Sequence, residues 1–322
     1  MLVECLPHPD IYDKSLMENE YYCSYLYMML DMILKNGVIL VDKDNKYIEI
    51  VKKSINQWPK NDSSKKIQSK LVALKDSNRF INIETKNIEI ESSCKKENCN
   101  IFYSILNNNN VNPIIPERCI DSEGKTKINE FIGTKLYSDL EKVSGFYDKG
   151  CEEIFENEVL RPILKYPKVI KIIDRVFASH MQNNDYEINE NYKNGLKNII
   201  RIIKGNNINK NVKVELYVAF NSDFSNDIQV TIGKKMIKEI ERFINEIKQE
   251  YSINLECYYK EDYYKLTHER YILTSQIGLE IGRGLDYMNK KGKLRDVNIS
   301  LLSKEQKRMI DSKVRMSDDL VL

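Results

Sequence analysis

LTHERYILTSQIGLEIGRGLDYMNKKGKLRDVNISLL, residues 266–302, is the stretch that decides the fold of the C-terminal half. HERYILT (268–274), GLEI (278–281) and VNISLL (297–302) are short apolar runs that are typical of β-strands. The segment between the second and third of these runs contains several glycines, as expected for turns. The pattern predicts three consecutive strands without intervening long helices.

The sequence upstream of this stretch alternates between strand and helix patterns. Apolar runs at KVIKIIDRVFA (168–178), VKVELYVAF (212–220) and INLECYY (253–259) predict strands, while 191–204 and 232–251 carry apolar residues at helical spacing. Strand and helix alternation followed by several strands implies a mixed sheet with helices on its faces.

The N-terminal half also alternates between the two patterns. Strands are predicted at MLVECL (1–6), VILV (38–41) and VNPIIPE (111–117), and FINIETKNIEI (80–90) predicts a strand or hairpin. Helices are predicted at 21–35, 46–57, 63–76 and 99–106. This alternation predicts an α/β fold with a partly parallel sheet.

The length of 322 residues favours two domains. The polar segment DSEGKTK (121–127) marks the end of the first, and the sequence that follows is predicted to be mainly helical. The expected organisation is an α/β domain at 1–127, a helical linker at 128–152 and a second α/β domain at 153–322.

The formal charge of +2 does not by itself argue for nucleic acid. The segment 290–315, however, holds nine basic and three acidic residues. It forms either a phosphate-attracting patch or an ordinary solvated surface. The start MLVECLPHPD lacks the pattern of a signal peptide, and no apolar run has the length of a membrane span. We therefore expect a cytoplasmic protein whose seven scattered cysteines are free thiols.

His268 and Arg270 are the most suggestive pair of residues. Two residues apart on a strand, they would project from the same face. A neutral imidazole can attack phosphorus, and a guanidinium can hold phosphate oxygens in a bidentate manner. The competing interpretation is a hydrogen-bonded histidine at a strand edge.

Other residues near this pair have two interpretations each. Arg283, between Gly282 and Gly284, is either a second phosphate-binding cation or a surface charge. Asp286 either orients Arg270 or His268, or caps the helix that starts near Leu285. Asp174 ends a strand at the sheet edge where α/β proteins bind ligands, or it is a structural partner. Tyrosines at 258, 259, 263, 264, 271 and 287 either stack on bases or pack in the sheet.

From about residue 153 to 302 the chain resembles the phospholipase D-like superfamily. The likeness is carried by VLRPILKYPKVIKIIDRVF (159–177), VKVELYVAF (212–220), THERYILT (267–274) and IGRGLDY (281–287). It is closest to a single-copy branch that includes the C-terminal domain of eukaryotic MIT-domain proteins. The last two segments and the turn between them are the more specific part of the likeness.

The phospholipase D-like resemblance implies that His268 is the nucleophile and that Arg270 replaces the motif's lysine. We place Asp286 in the catalytic set with them, as the acid that orients one of the two. Arg283, Gly282 and Gly284 would bind substrate, and the site would need no cofactor. A single-copy enzyme of this type would be a homodimer. Ser275 stands where the motif has Asp, and eukaryotic relatives with the IGRGLDY-type turn are regarded as lipid-binding and non-catalytic.

The N-terminal half resembles the PIN-like nuclease fold, a three-layer α/β domain, through NGVILVDKDNKYIEIVKKSI (36–55), DSNRFINI (76–83) and residues 94–117. PIN-type enzymes gather carboxylates around Mg²⁺ or Mn²⁺. Candidate ligands here are Asp10, Asp42 and Glu49, with Glu4 and Asp121 as further carboxylates. A degenerate domain without metal is the competing interpretation.

Three classes of function follow. The first is a phosphodiesterase or nuclease that acts on nucleic acid, and the pairing of the two resemblances implies an antiviral or mobile-element defence role. The second is a non-catalytic module that binds nucleic acid, anionic lipid or a protein partner. The third is a regulatory or assembly subunit of a defence system, in which His268 and Arg270 are relics.

Overall fold

The computed structural model describes residues 2–85, 97–107, 111–117, 119, 123–178, 187–219, 227–260, 268–315 and 320–321. The chain is mixed α/β and divides into two compact units, Met1–Lys142 and Val143–Leu322. Each unit has a sheet of its own. Within the described ranges, no helix is long and apolar enough to cross a membrane.

The sheet of the N-terminal unit has five strands in the order β3-β2-β1-β4-β5. Its strands are β1 (Val3–Pro7), β2 (Gly37–Asp42), β3 (Phe80–Ile83), β4 (Asn112–Ile115) and β5 (Thr126–Lys127). Every neighbouring pair is parallel. β2 is buried along its whole length, which explains its uninterrupted apolar sequence.

The helices of this unit form two groups around the sheet. They are α1 (Glu20–Asn36), α2 (Lys46–Ile55), α3 (Asp62–Asp76), α4 (Glu97–Leu106) and α5 (Lys135–Glu141). α1 packs with α3 and α5, whereas α2 packs with α4. α1 begins where the side chain of Asn19 accepts the backbone N–H of Tyr22, and the buried Arg79 donates to the carbonyls of Lys35 and Gly37 at its end.

The sheet of the C-terminal unit has eight strands in the order β13-β9-β8-β7-β10-β11-β12-β6. They are β6 (Ser144–Tyr147), β7 (Val169–Ile173), β8 (Lys213–Ala219), β9 (Asn254–Lys260), β10 (Tyr271–Thr274), β11 (Gly278–Ile281), β12 (Val297–Leu301) and β13 (Leu320–Val321). β7, β8 and β9 are parallel, and all other pairs are antiparallel. The prediction of a mixed sheet is confirmed.

The helices of this unit are α6 (Glu152–Phe155), α7 (Arg161–Leu164), α8 (Glu190–Asn206), α9 (Asp227–Tyr251) and α10 (Lys304–Arg315). A π-helical segment at Glu156–Leu160 joins α6 to α7. α8 packs against α9 and against the turn at Gly284–Tyr287. α10 places Ile310 and Val314 in a buried cluster with the sheet residues Ile173, Tyr217 and Leu273.

Two predicted elements differ from the structure. The strand expected at 268–274 begins only at Tyr271, because its partner β7 ends at Ile173, which pairs with Tyr271. The helical linker expected at 128–152 contains α5 and also β6, which pairs with β12. The hairpin expected at 80–90 is described only as far as β3, and residues 86–90 lie outside the described part.

The prediction that all seven cysteines are free thiols is wrong for Cys99, which is disulfide-bonded. Cys5, Cys23, Cys119, Cys151 and Cys257 are free. Burial raises the pKa of the Cys5 thiol and raises that of Cys257 to about 12, so these two are held as neutral thiols in the core.

Candidate functional site

The C-terminal unit is organised around the buried carboxylate of Asp174, at the end of β7. One carboxylate oxygen accepts the backbone N–H groups of Val176 (2.9 Å) and Phe177 (3.1 Å). The other accepts the N–H of Leu285, at 2.7 Å. Burial raises the pKa of this carboxyl to about 6, against the opposing effects of the Leu285 N–H and the Arg270 charge. Asp174 therefore joins the end of β7 to the glycine turn.

Gly284 is required at this turn for two reasons. Its φ of +65° lies in the left-handed region, which disfavours side chains. A methyl group here would also overlap the carboxylate of Asp174 and approach Cγ of Arg270 to 2.6 Å. On the helix side, a methyl group at Gly195 in α8 would overlap the carbonyl oxygen of Leu285. Both glycines allow the turn to sit directly on its neighbours.

Arg270 lies between the turn and Asp174 and has a structural role there. Its Nη1 donates to the carbonyl oxygen of Gly282 at 3.0 Å, and its charge acts on Asp174. A cavity of about 10 Å³ borders Arg270, Asp174 and Gly284, which is the space of a single water molecule. The structure thus brings Arg270, Gly282 and Gly284 together, around Asp174.

His268 lies before β10, outside the strand on which it was expected. Its side chain is 69% exposed, and its Nδ1 lies 3.2 Å from Oε1 of Glu269. No hydrogen bond or ion pair joins it to Arg270, Arg283 or Asp286 in the part of the chain that the structure describes. The expectation that His268 and Arg270 share one face of a strand is therefore wrong.

Asp286 forms ion pairs with Arg283 and Arg295 rather than with Arg270 or His268. Its Oδ2 lies 2.9 Å from Nη1 of Arg295 and 3.6 Å from Nη1 of Arg283. Arg283 also donates from Nε to the carbonyl oxygen of Asp296 at 2.6 Å. Asp286 sits inside the short 3-10 turn at Gly284–Tyr287 and does not cap it. Two partly exposed guanidinium groups are thus fixed beside the glycine turn.

A rigid lysine hairpin at 288–294 follows the turn. Met288 and Leu294 form an antiparallel bridge that closes it. The Asn289 side chain accepts the backbone N–H groups of Lys291 (2.9 Å) and Lys293 (3.0 Å). These contacts fix the loop together with the Glu152 carboxylate, which accepts the backbone N–H of Leu294 at 3.2 Å. The side chains of Lys290, Lys291 and Lys293 are exposed.

The lysine hairpin and the arginine pair are adjacent in the chain. Arg295 follows the hairpin directly, and its N–H donates to the carbonyl of Tyr287 at 2.8 Å. We call Arg283, Lys290, Lys291, Lys293 and Arg295 together the basic surface. Groups that can bind phosphate oxygens are thus presented on a fixed backbone.

The described carboxylates among the proposed metal ligands lie on different elements, and Asp42 has a structural role. Asp42 is buried and caps α2, since its oxygens accept the N–H groups of Lys46 (2.9 Å) and Tyr47 (2.7 Å). Glu49 is exposed on α2, Glu4 is half-buried on β1 and Asp10 lies in a 3-10 turn. Asp121 lies outside the described residues. No group of three or more potential metal-ligating side chains occurs in the described ranges.

Sequence reasoning found part of this site. Sequence patterns do not point to Arg295 or Gly195, because neither lies in a recognisable motif, and Gly195 meets its neighbour Leu285 only through the fold. The run of lysines after the turn is the sequence feature that indicates the basic hairpin. A comparison of the sequence with protein-family models finds no match, and a comparison with curated proteins finds none either.

Proposed function

We propose that residues 143–322 form a phospholipase D-like module that binds the phosphate backbone of nucleic acid through the basic surface, without cleaving it. The observation that carries this proposal is the fixed placement of three exposed lysines beside an arginine pair. Mixed-sheet topology and the glycine turn on Asp174 support the phospholipase D-like assignment.

The electrostatics of the basic surface suit a polyanion. Asp286 lies between Arg283 and Arg295, so it offsets their repulsion while leaving both guanidinium groups partly exposed. The lysines lie on a backbone held by Asn289 and Gly292, whose φ is +73°. A preformed array of cations loses little conformational entropy when it binds phosphates. Such contacts position a backbone without reading its sequence.

The contacts of Arg270 argue against catalysis at the motif. Its guanidinium is bound to the Gly282 carbonyl and lies near the buried Asp174. The neighbouring cavity of about 10 Å³ has no room for a phosphate group. Arg270 therefore serves the fold of the turn in this proposal rather than a reacting phosphate.

A phosphodiesterase is the second candidate, and one observation favours it. His268 is exposed, and the Glu269 carboxylate lies 3.2 Å from its Nδ1. A carboxylate in this position orients an imidazole so that the other ring nitrogen can act as a nucleophile. In that case the protein would form a homodimer and cleave nucleic acid without a metal.

The N-terminal unit enters this proposal as a PIN-like scaffold that does not act on substrate. The all-parallel five-stranded sheet between two groups of helices supports the likeness. Mg²⁺ or Mn²⁺ would be needed only by an active PIN-like site. Service as the nucleic-acid-binding subunit of a defence system is part of the proposal and is supported by the pairing of the two resemblances.

The test is a binding titration with labelled single- and double-stranded DNA and RNA, followed by fluorescence anisotropy, with and without EDTA. The variant Lys290→Gln/Lys291→Gln/Lys293→Gln should lose about tenfold or more in affinity. The matched control Lys52→Gln/Lys53→Gln/Lys60→Gln removes three exposed lysines of the N-terminal unit and should bind as the wild type. Equal affinity of the hairpin variant and the wild type would refute the proposal. Tighter binding to vesicles with anionic lipid than to any nucleic acid would assign the basic surface to membranes.

A further inference from the structure

A second concave site lies in the C-terminal unit between α10 and the strands β10 and β11. The groove has a volume of about 180 Å³. Its apolar walls are Tyr271, Leu302, Met309 and Ile310. The carboxylate of Glu280 is the acidic group that lines it. None of these residues belongs to the basic surface.

The walls of the groove are held in place by specific contacts. Ser303 and Gln306 form a reciprocal capping box at the start of α10, with N···O distances of 2.9 and 3.2 Å. Lys307 on the first turn donates to the carbonyl of Ser275 at 2.8 Å. Ile310, one turn further, is buried against the sheet. The groove is therefore a preformed feature of the packed helix.

Glu280 in this groove is a half-buried carboxylate that has no counter-ion among the described residues. It pairs in the sheet with Tyr271 on β10 and with Ser300 on β12. Its side chain makes no hydrogen bond or ion pair with any residue in the described ranges. Burial and the charge of Glu269 raise the pKa of Glu280. A partly desolvated negative charge of this kind is stabilised by a cation that enters the groove.

The other residues that line the groove determine what kind of cation fits beside Glu280. Tyr271, Met309 and Ile310 line the groove and provide apolar contact for an alkyl chain. Lys313 lies at the exposed rim and forms no ion pair with Glu280. The volume of about 180 Å³ is below the usual range for drug-sized ligands and suits a single short chain.

We propose that this groove binds an alkyl chain that ends in an ammonium or guanidinium group, with Glu280 accepting hydrogen bonds from the cation. Such a group is carried either by a free amine or by a basic side chain of a partner protein. The groove shares no residue with the basic surface, so this proposal and the proposed binding of nucleic acid can fail independently.

The test is calorimetric titration of the full chain with agmatine, which carries both cationic groups on a short alkyl chain. Glu280→Gln keeps the shape of the side chain and should weaken binding by about tenfold or more. The control Glu305→Gln removes an exposed carboxylate of α10 that does not line the groove, and it should bind as the wild type. Lys313→Ala should bind agmatine more tightly, because it removes a like charge from the rim.

Two outcomes would overturn the proposal: no binding of agmatine or peptide by the wild type, or equal binding by Glu280→Gln. A second titration with the peptide acetyl-Gly-Arg-Gly-amide separates the two sources of the cation. Binding of agmatine alone assigns a free amine, and tighter binding of the peptide assigns a side chain of a partner. Thermal unfolding checks that Glu280→Gln is folded, and its melting temperature should equal or exceed that of the wild type.

Discussion

The carboxylate of Asp174 accepts a hydrogen bond from the backbone N–H of Leu285 at 2.7 Å, across 111 positions of sequence. This contact ties the end of β7 to the glycine turn that precedes the lysine hairpin. Since the basic surface begins at that turn, its geometry depends on a buried acid that does not itself contact solvent. Substitutions of Asp174 therefore test the stability of the turn, and substitutions in the basic surface test binding.

Asp174→Ala should lower the free energy of unfolding by about 3 kcal/mol, because three backbone N–H groups lose their acceptor and Arg270 loses a nearby charge. Urea unfolding followed by circular dichroism measures the change. Asp296→Ala removes an exposed carboxylate near the same turn and should change stability by less than about 0.5 kcal/mol. Equal effects of the two substitutions would show that the buried carboxylate does not hold the turn.

The raised pKa of Asp174 predicts a pH dependence with a definite sign. Above pH 6 the carboxyl is charged in both the folded and unfolded chains, and between about 6 and 3.8 the folded chain alone holds the proton. The contribution of this group to stability therefore rises as the pH falls, by up to about 3 kcal/mol. When the pH is lowered from 7.5 to 4.5, the free energy of unfolding of the wild type should increase relative to that of Asp174→Asn. A gain in the opposite direction would mean that the pKa is lowered, not raised.

Gly284→Ala should destabilise the C-terminal unit by about 3 kcal/mol or more, because strain at a φ of +65° adds to overlap with Asp174. Gly292 provides the matched control. Its φ is +73°, but a methyl group there meets no atom within 4 Å. Gly292→Ala should cost only about 1 kcal/mol of strain. Thermal unfolding measures the stability of both variants, and a similar loss of stability in the two would contradict the close packing of the turn.

Asp286→Asn separates the binding proposal from the catalytic one. It removes the acid between Arg283 and Arg295, so the net positive charge of the basic surface increases. Affinity for nucleic acid should rise severalfold, with a steeper dependence on salt concentration. If Asp286 were instead part of a catalytic set, the substitution would reduce cleavage and leave affinity nearly unchanged. Anisotropy at several salt concentrations, together with a cleavage gel, distinguishes the two.

The sequence predicts the sheet of the C-terminal unit well, because each of its long strands has a clear local pattern of apolar residues. The apolar runs at 168–178, 212–220 and 253–259 are long, and helical periodicity separates them, so β7, β8 and β9 are found within a few residues. The start of β10 could not be predicted in this way. It depends on where β7 ends, and β7 ends at the turn formed by Asp174, far away in the sequence.

The candidate site was predictable in its composition but not in its contacts. The glycine turn and the lysine run are visible in the letters of 281–293, whereas the partners of Asp286 and Arg270 are not. Two residues that lie two positions apart on an assumed strand share a face and look like a functional pair. Once the strand begins after them, as it does at Tyr271, the reason for expecting His268 and Arg270 to act together disappears.

Binding of nucleic acid without turnover is tested most directly by one assay on three proteins. Wild type, His268→Ala and Lys290→Gln/Lys291→Gln/Lys293→Gln are incubated with the same labelled oligonucleotide, and binding and cleavage are read from the same samples. We expect no cleavage by any of the three proteins, equal affinity for wild type and His268→Ala, and a loss of affinity of about tenfold or more for the triple lysine variant. Metal-independent cleavage by the wild type that is abolished in His268→Ala would contradict this expectation.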